Sequence, residues 1–552
     1  MAEGETQPKT TPAWIKLAPM FLLTFVAALA ISRLDIMGLY DSLVPLSDRI
    51  ALRVAAPIHS HEGQKHITVV LINEAFMKRV GGGEKGWPLA SETMRNLLQQ
   101  IADAGPKALF LDVVLTDMPR PVRAGRQPDG DKGIVALAGD LGEISRGVPI
   151  LVTNTLNIQP GREAHCVSDW TDIDALGDNG TLSAPIRAAA IASRAYSDGG
   201  KAAGLEVIAA NWLDARDQYP IGIAVASHDK ACNATVDDMP ALLAAPEKYV
   251  QGGYLASPAT ALYALYCRGS REGCPDIRRL DLAGQPGGYR LYAIGPRVQQ
   301  RMLVRWGSRQ SPQMQADFAQ AERADDCIAQ NTDSVAYEAI VQSVHAILPF
   351  LNEMFDNTDR TCPYFDTLTA DEVIETERYF PDENPQDFLR RYLKGRIVMV
   401  GSDLPYVQDR IASPIAGELP GVYLHAMALD NLIDYGNGYQ RQPTGLNWWL
   451  EGIVEALSVA LLAIGLPLLT ARLVRLEWVV MRIERSAMFR LAAFFATLAV
   501  LLLLVLVLAL CLTALIWPVL GFNPVFVALA ITIPLIEELR HEFFPLHAEH
   551  AG

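Results

Sequence analysis

The chain has 552 residues, and 47 Lys and Arg against 62 Asp and Glu give it a formal net charge of −15 at pH 7. Such an acidic balance provides no general electrostatic attraction for nucleic acid, so nucleic-acid binding is excluded as a function class. The stretch 33–446 lies between apolar segments and is long enough to bury the core of one large domain or two.

Four apolar segments predict transmembrane helices. The first, residues 17–32, is short, because a spanning helix needs roughly 17–20 apolar residues. A cleavable signal peptide is the alternative, since Ala28-Leu29-Ala30 fits a small-residue cleavage site. The other three segments are 447–471, 491–516 and 522–536.

The loop 472–490 indicates the orientation of these segments, because it holds five Arg and two Glu and short Arg-rich loops stay in the cytoplasm. We therefore expect 1–16 and 537–552 to be cytoplasmic tails and 33–446 to be exported. Within the second segment, Glu451 lies near the interface, whereas Glu455 lies deeper. A buried charge of this kind is costly, so we interpret Glu455 as part of a helix–helix contact.

Cysteine usage favours the same topology, since six of the seven cysteines fall in the predicted exported region. These six are predicted to form disulfides in an oxidising compartment, with fifteen possible pairings. They are Cys166, Cys232, Cys267, Cys274, Cys327 and Cys362.

The exported region alternates strand and helix patterns along the chain. Near-continuous apolar runs predict strands at 67–72, 108–115, 148–153 and 396–402. Between the first two, Met94, Leu97, Leu98 and Ile101 have the spacing of a buried helix face, and 422–433 is predicted to be a helix. The alternation predicts an α/β domain with a mostly parallel sheet, in addition to about four transmembrane helices.

Motifs for catalysis are missing from the sequence. It contains no nucleophile elbow, phosphate-binding loop, HExxH or CxxC motif, so we predict no enzymatic activity, no cofactor and no metal. His59, His61 and His66 form an H-x-H-x4-H group, for which we favour an exposed linker over a metal site. We interpret His541, His547 and His550 near the C-terminus in the same way.

Polar residues at the ends of predicted strands are the candidate ligand-binding residues, because open α/β sheets bind ligands beyond the carboxyl ends of their strands. The alternative is that Asp112 is a buried acid satisfied by backbone donors and that the other residues cap helices and turns. The candidates are Asn73, Glu74, Asp112, Asp117 and Asp409.

Three stretches resemble the type-2 CHASE sensor domain, an extracytoplasmic input module of bacterial adenylate cyclases and sensor histidine kinases. They are 67–112 with its Trp87-Pro88, 203–260, and 393–426 with its Ser413-Pro414. The chain departs from the family pattern at Asn73, where an Asp is usual, and it lacks an Arg after Trp87-Pro88. Relatives also continue into a cytoplasmic catalytic domain, whereas this chain has sixteen residues after the fourth predicted span, 522–536.

The resemblance implies a sensory, receptor-like subunit of the bacterial inner membrane, possessing a large periplasmic domain and signalling to a separate cytoplasmic partner. By analogy with the family, it also implies a homodimer. A structural or assembly subunit of an envelope complex is the alternative. A third hypothesis is an exported metal-dependent hydrolase that uses Glu74, Asp112 and Asp409.

Overall fold

The structure is a computed structural model, and its description covers only part of the chain. The described residues are 13–34, 48–49, 51–53, 55–80, 87, 89–113, 115, 130–154, 184–197, 204–209, 218–224, 254–268, 277–280, 291–294, 301–311, 313–314, 363–407, 409–441, 449–450, 452–462, 465, 495 and 527. The chain divides into two compact units, of which one comprises Ala56–Glu338 and Phe350–Arg441 and the other the remaining residues.

The α-helices are α1 (Ala13–Leu34), α2 (Glu74–Arg79), α3 (Ser91–Asp103), α4 (Gly130–Ile144), α5 (Ala184–Ser197), α6 (Pro258–Cys267), α7 (Ala370–Ile374), α8 (Thr376–Tyr379), α9 (Pro385–Leu393) and α10 (Val422–Tyr435). The strands are β1 (Ile67–Asn73), β2 (Ala108–Asp112), β3 (Ile150–Asn154), β4 (Leu205–Ala209), β5 (Gln218–Tyr219), β6 (Gly222–Ala224), β7 (Tyr254–Ala256), β8 (Ile277–Leu280), β9 (Leu291–Ile294), β10 (Met302–Leu303), β11 (Asp366–Thr369), β12 (Ile397–Asp403), β13 (Arg410–Ser413) and β14 (Gly417–Pro420). Short 3₁₀ helices cover Ala56–Ile58, Gly63–His66 and Gly436–Gly438.

A six-stranded sheet with the order β11-β1-β12-β2-β3-β4 forms the centre of the larger unit, and all of its strand pairs are parallel. β1, β3 and most of β12 are buried along their length, which is why their sequences are continuous apolar runs. The described part of the chain therefore confirms the predicted α/β fold with a mostly parallel sheet.

Helices cover both faces of this sheet. On one face, Leu97 of α3, Leu141 of α4 and Phe388 of α9 pack in a single core with alternate residues of the strands. On the other face, α10 contacts β1 and β12 and α6 contacts β2 and β4. Because side chains alternate along a strand, Phe110 and Asp112 of β2 lie on the second face, under α6 and α10.

A buried ion pair joins three strands of the sheet near one edge. Arg396 lies just before β12, and its guanidinium forms a salt bridge of 2.5 Å with Asp366 of β11. The same group donates to the Thr68 hydroxyl of β1 at 3.4 Å, and the Ser311 hydroxyl also donates to Asp366. The Asp366 side chain is 3% exposed, so its charge depends on these donors rather than on water.

The close approach of α10 to the sheet depends on a glycine. A Cβ atom at Gly401 of β12 would lie 2.6 Å from the Cβ of Val422, the first residue of α10. Both residues are buried, so the contact cannot relax into solvent.

We expect the substitution Gly401→Ala to destabilise the protein by roughly 1–3 kcal/mol, because it overpacks a filled core. The matched control is Gly139→Ala in α4, where an added Cβ meets no atom within 4 Å. That control should stabilise the helix by about 0.5–1 kcal/mol, since alanine is the better helix former. Denaturant unfolding measures both effects, and equal midpoints for the two variants would contradict the close approach.

The predicted strand at 108–115 is too long, because β2 ends at Asp112. The other elements lie within a few residues of their predicted bounds, and the helix face of α3 is buried as expected. Cys267 is disulfide-bonded, but the other five candidate cysteines lie outside the described residues, so their pairing stays a prediction.

In the smaller unit, α1 covers the first predicted span. The Arg33 guanidinium of α1 lies 3.7 Å from the carboxylate of Glu455, and both side chains are buried. This contact confirms the interpretation of Glu455. Glu451 lies outside the described residues.

Among the residues that the structure describes, no helix combines the length and apolar character that a membrane crossing requires. The four spans stay predictions, and the last three fall mostly outside the described residues.

Candidate functional site

A buried carboxyl group faces a histidine at the carboxyl end of the sheet. Asp112 ends β2, and His425 lies in the first turns of α10 directly above it. His425 Nε2 is 3.7 Å from Asp112 Oδ2, which is longer than a hydrogen bond. The other carboxyl oxygen accepts a bond of 3.3 Å from the Thr153 hydroxyl of β3, whereas Oδ2 has no hydrogen-bond partner among the described residues.

Tyr219 holds the histidine ring from its other side. The Tyr219 hydroxyl lies 2.8 Å from His425 Nδ1 and accepts a hydrogen bond of 3.2 Å from the backbone N–H of Ala259, at the start of α6. When Tyr219 donates its proton to Nδ1, the proton of the neutral ring lies on Nε2 and faces Asp112. The Phe110 ring packs edge-on against His425, with 5.5 Å between centroids, which fixes the plane of the imidazole.

Burial shifts the ionisation of this pair in opposite directions. It raises the pKa of Asp112 to about 7, an effect that the Thr153 hydrogen bond partly offsets. It lowers the pKa of His425 to about 4, although the charge of Asp409 acts in the opposite direction. Near neutral pH His425 is therefore uncharged, whereas the Asp112 carboxyl group is partly protonated and partly ionised.

Asp409 is the second carboxyl group of this region. Its backbone carbonyl accepts a bond of 2.9 Å from the N–H of Gly421, which precedes α10. A Cβ at Gly421 would overlap Asp409 Oδ1, so only glycine leaves room for this carboxyl group. The pKa of Asp409 is raised to about 6, mainly by burial and also by the charge of Asp112, while His425 acts to lower it.

The structure brings together two of the five predicted ligand-binding residues, Asp112 and Asp409. Asn73 instead caps α2, with its side chain accepting from the Phe76 N–H at 2.9 Å. Glu74 forms an exposed salt bridge of 2.7 Å with Lys78. The Asn73 contact matches the alternative interpretation of these residues as caps of helices and turns, whereas Glu74 makes a surface ion pair. Asp117 lies outside the described residues.

Three polar side chains of the cluster, Thr153, Tyr219 and His425, were not predicted from the sequence. His425 falls within a stretch that carries the family resemblance, but nothing in the pattern of α10 separates it from a core residue. The exposed-linker interpretation of the histidine group is wrong for His59, which is 5% exposed. His61 and His66 lie against the rings of Tyr364 and Tyr266.

The cluster can therefore hold or release a proton, and its unpartnered oxygen can accept a bond from a small polar group. Comparison with protein families matches residues 18–467 to the CHASE2 domain. The chain belongs to the CHASE2 domain family. Comparison with curated proteins and with solved structures finds no match for the chain.

CHASE2 domains are extracytoplasmic sensor domains of signalling proteins, which agrees with an exported location for the α/β unit. In this CHASE2 domain, Asp112, Asp409 and His425 lie at the end of the sheet where α/β proteins bind ligands.

Proposed function

We propose that this protein is a receptor-like sensor subunit of the bacterial inner membrane. Its CHASE2 domain faces the periplasm, and the ionisation state of Asp112 registers the stimulus. The signal passes through the predicted transmembrane helices to a separate cytoplasmic partner, which performs the catalytic step. The observation that carries the proposal is the unpartnered Asp112 oxygen facing His425 in a domain of a sensor family.

Whether Asp112 is charged or neutral changes which arrangement of the Asp112 and His425 side chains is favoured. A neutral Asp112 tolerates the 3.7 Å gap to Nε2, whereas the ionised form draws a donor or a cationic ligand toward Oδ2. A stimulus changes the balance of two conformations only by binding one of them better, and a buried carboxyl group gives a basic or proton-donating ligand that difference.

The helix α10 connects the candidate site to the chain that follows. His425 lies near the start of α10, the helix ends at Tyr435, and the predicted second span begins at residue 447. A small displacement of the start of α10, at the carboxyl end of the sheet, is therefore transmitted along a rigid helix toward the predicted membrane segment.

The test compares the wild-type protein with Asp112→Asn, in which the site stays neutral. Full-length protein is solubilised gently and screened by thermal shift against periplasmic ions and metabolites, and bound cytoplasmic proteins are identified by mass spectrometry. We expect a stimulus that stabilises the wild type but not the variant, and a partner whose recovery changes with that stimulus.

The matched control is Asp403→Asn, which alters a half-exposed carboxylate at the end of the adjacent strand, β12. This control should respond like the wild type. A partner recovered equally from all three proteins, with no thermal response in any of them, would instead favour an assembly subunit.

A further inference from the structure

A second titratable cluster lies within the larger unit and shares no residue with the Asp112–His425 site. His59 follows the first 3₁₀ helix, and Asp430 and Asp434 lie one turn apart on α10. His59 Nε2 is 2.5 Å from Asp430 Oδ2 and 3.9 Å from Asp434 Oδ2. The three donor atoms all lie within 4.8 Å of one another, so a single cation can reach all of them after small side-chain rotations.

The side chains of the cluster are buried, and two of its carboxyl oxygens lack hydrogen-bond partners of ordinary geometry among the described residues. The side chains of Asp430 and Asp434 are 0% exposed, and that of His59 is 1% exposed. Among the described residues, Asp430 Oδ1 and Asp434 Oδ2 have no hydrogen-bond partner of ordinary geometry, although the Gln64 backbone and the Ser60 hydroxyl interact with these carboxyl groups. Carboxyl groups that are closed off from water in this way either keep a proton or need a counter-charge, since burying a carboxylate alone is costly.

The surrounding groups orient these side chains as the outer shell of a metal site does. The Gly63 N–H donates to Asp434 Oδ1 at 2.7 Å, which leaves Oδ2 turned toward His59. The Tyr435 hydroxyl lies 3.2 Å from His59 Nδ1, so that nitrogen is engaged and Nε2 is the one that faces the two aspartates. A Cβ at Gly63 would overlap Asp430 Oδ1, so glycine is required beside the carboxyl group.

The donor set selects the class of cation. An imidazole nitrogen with two carboxylate oxygens suits Zn²⁺ and related transition metals, whereas Mg²⁺ and Ca²⁺ prefer oxygen ligands alone. The guanidinium of the nearby Arg305 stacks 4.8 Å from the centre of the Tyr435 ring and donates to Gln440.

We propose that His59, Asp430 and Asp434 bind a divalent transition-metal cation of the zinc type, which ties the segment after the first 3₁₀ helix to α10, the last described α-helix of the larger unit. His59 is the fourth residue of the unit that begins at Ala56, and Asp434 lies seven residues before its end at Arg441. The cation therefore joins the two ends of the larger unit, a few residues along the chain from where it continues toward the predicted spans.

The test measures zinc uptake by the full-length protein in detergent, after chelation and removal of the chelator. Because His541, His547 and His550 near the C-terminus offer competing ligands, all measurements use a background in which these three are glutamine. We expect one Zn²⁺ per chain and a rise in the unfolding temperature on adding zinc. Cobalt should replace zinc and give a visible absorption band.

Three variants distinguish zinc binding at the proposed site from zinc binding elsewhere on the protein. Asp434→Asn should abolish stoichiometric uptake while folding normally in chelator, because it removes a buried charge without changing size. Tyr435→Phe should weaken binding by about 10–100-fold, the usual effect of losing an outer-shell partner. Asp403→Asn, a carboxylate on β12 that pairs with Arg410, should bind as the background protein does.

Two results would overturn the proposal. The first is a background protein that takes up no zinc at micromolar free concentrations. The second is an Asp434→Asn or His59→Gln protein that keeps the affinity and the thermal response of the background, which would place the ion elsewhere.

Discussion

Replacing Asp112 by asparagine should stabilise the protein at pH 8 and leave its stability nearly unchanged at pH 4. Folding raises the pKa of this carboxyl group to about 7. Below pH 4 it is protonated in both the folded and the unfolded chain. As pH rises from about 4 to 7, the unfolded chain releases the proton first, so the stability of the wild type falls until the folded group has also ionised.

Above pH 7 the free energy of unfolding of the variant should exceed that of the wild type by at most about 4 kcal/mol. This bound follows because every tenfold change in the ionisation equilibrium of a group corresponds to about 1.4 kcal/mol. His425 acts in the opposite sense, because its pKa is lowered to about 4 and its contribution is lost as pH falls from about 6.5 to 4. His425 and Asp409 are present in both proteins, so the difference between the two pH curves reports Asp112 together with its effect on the pKa of Asp409.

The measurement is the unfolding temperature of the wild type and of Asp112→Asn from pH 4 to pH 8, with Asp403→Asn as control. Asp403 is partly exposed and pairs with Arg410 at 2.7 Å, so its variant removes a carboxylate that lies outside the buried pair. If the wild type and Asp112→Asn gave parallel curves, Asp112 would not be the buried proton-exchanging group described here.

Replacing Arg396 by methionine should destabilise the protein by roughly 3–5 kcal/mol, because it leaves the buried carboxylate of Asp366 without its partner. The effect is large because Asp366 is 3% exposed and because the arginine connects β11 and β12 to the intervening β1. Equilibrium unfolding in denaturant gives the difference directly.

The control for this prediction is Lys78→Met, which breaks the exposed Lys78–Glu74 pair and should change stability by no more than about 0.5 kcal/mol. A double variant, Asp366→Leu with Arg396→Met, should recover much of the loss, since a buried ion pair is often replaceable by apolar residues. An Arg396→Met protein as stable as Lys78→Met would show that the pair is not buried as described.

The strands and helices at the two ends of the predicted exported region were predictable because their signals are local. β1, β2 and β12 are apolar runs bounded by polar residues, and α3 shows its buried face in the spacing of four side chains. The strand order was not predictable, because β12 pairs between β1 and β2 although more than 280 residues separate it from β2. Position along the chain does not indicate such an insertion.

The candidate site likewise combines residues that local sequence signals identify with residues that they do not. Asp112 and Asp409 were identified because both follow the general rule for strand ends, but Tyr219 is 206 residues from His425 in sequence. The second cluster is more remote still, since 371 residues separate His59 from Asp430. His59 was grouped with neighbouring histidines because sequence distance was the available guide, and the fold instead places it against two aspartates of the last helix.

Thiol labelling in spheroplasts tests the central claim, that the CHASE2 domain lies outside the cytoplasm. Val135 of α4 is 53% exposed, so a Val135→Cys protein presents a reporter on the domain surface, and Ser486→Cys places one in the Arg-rich loop. We expect a membrane-impermeant maleimide to label Val135→Cys in intact spheroplasts, above the background of the unsubstituted protein, and to label Ser486→Cys only after permeabilisation. Labelling of Val135→Cys only after permeabilisation would contradict the account.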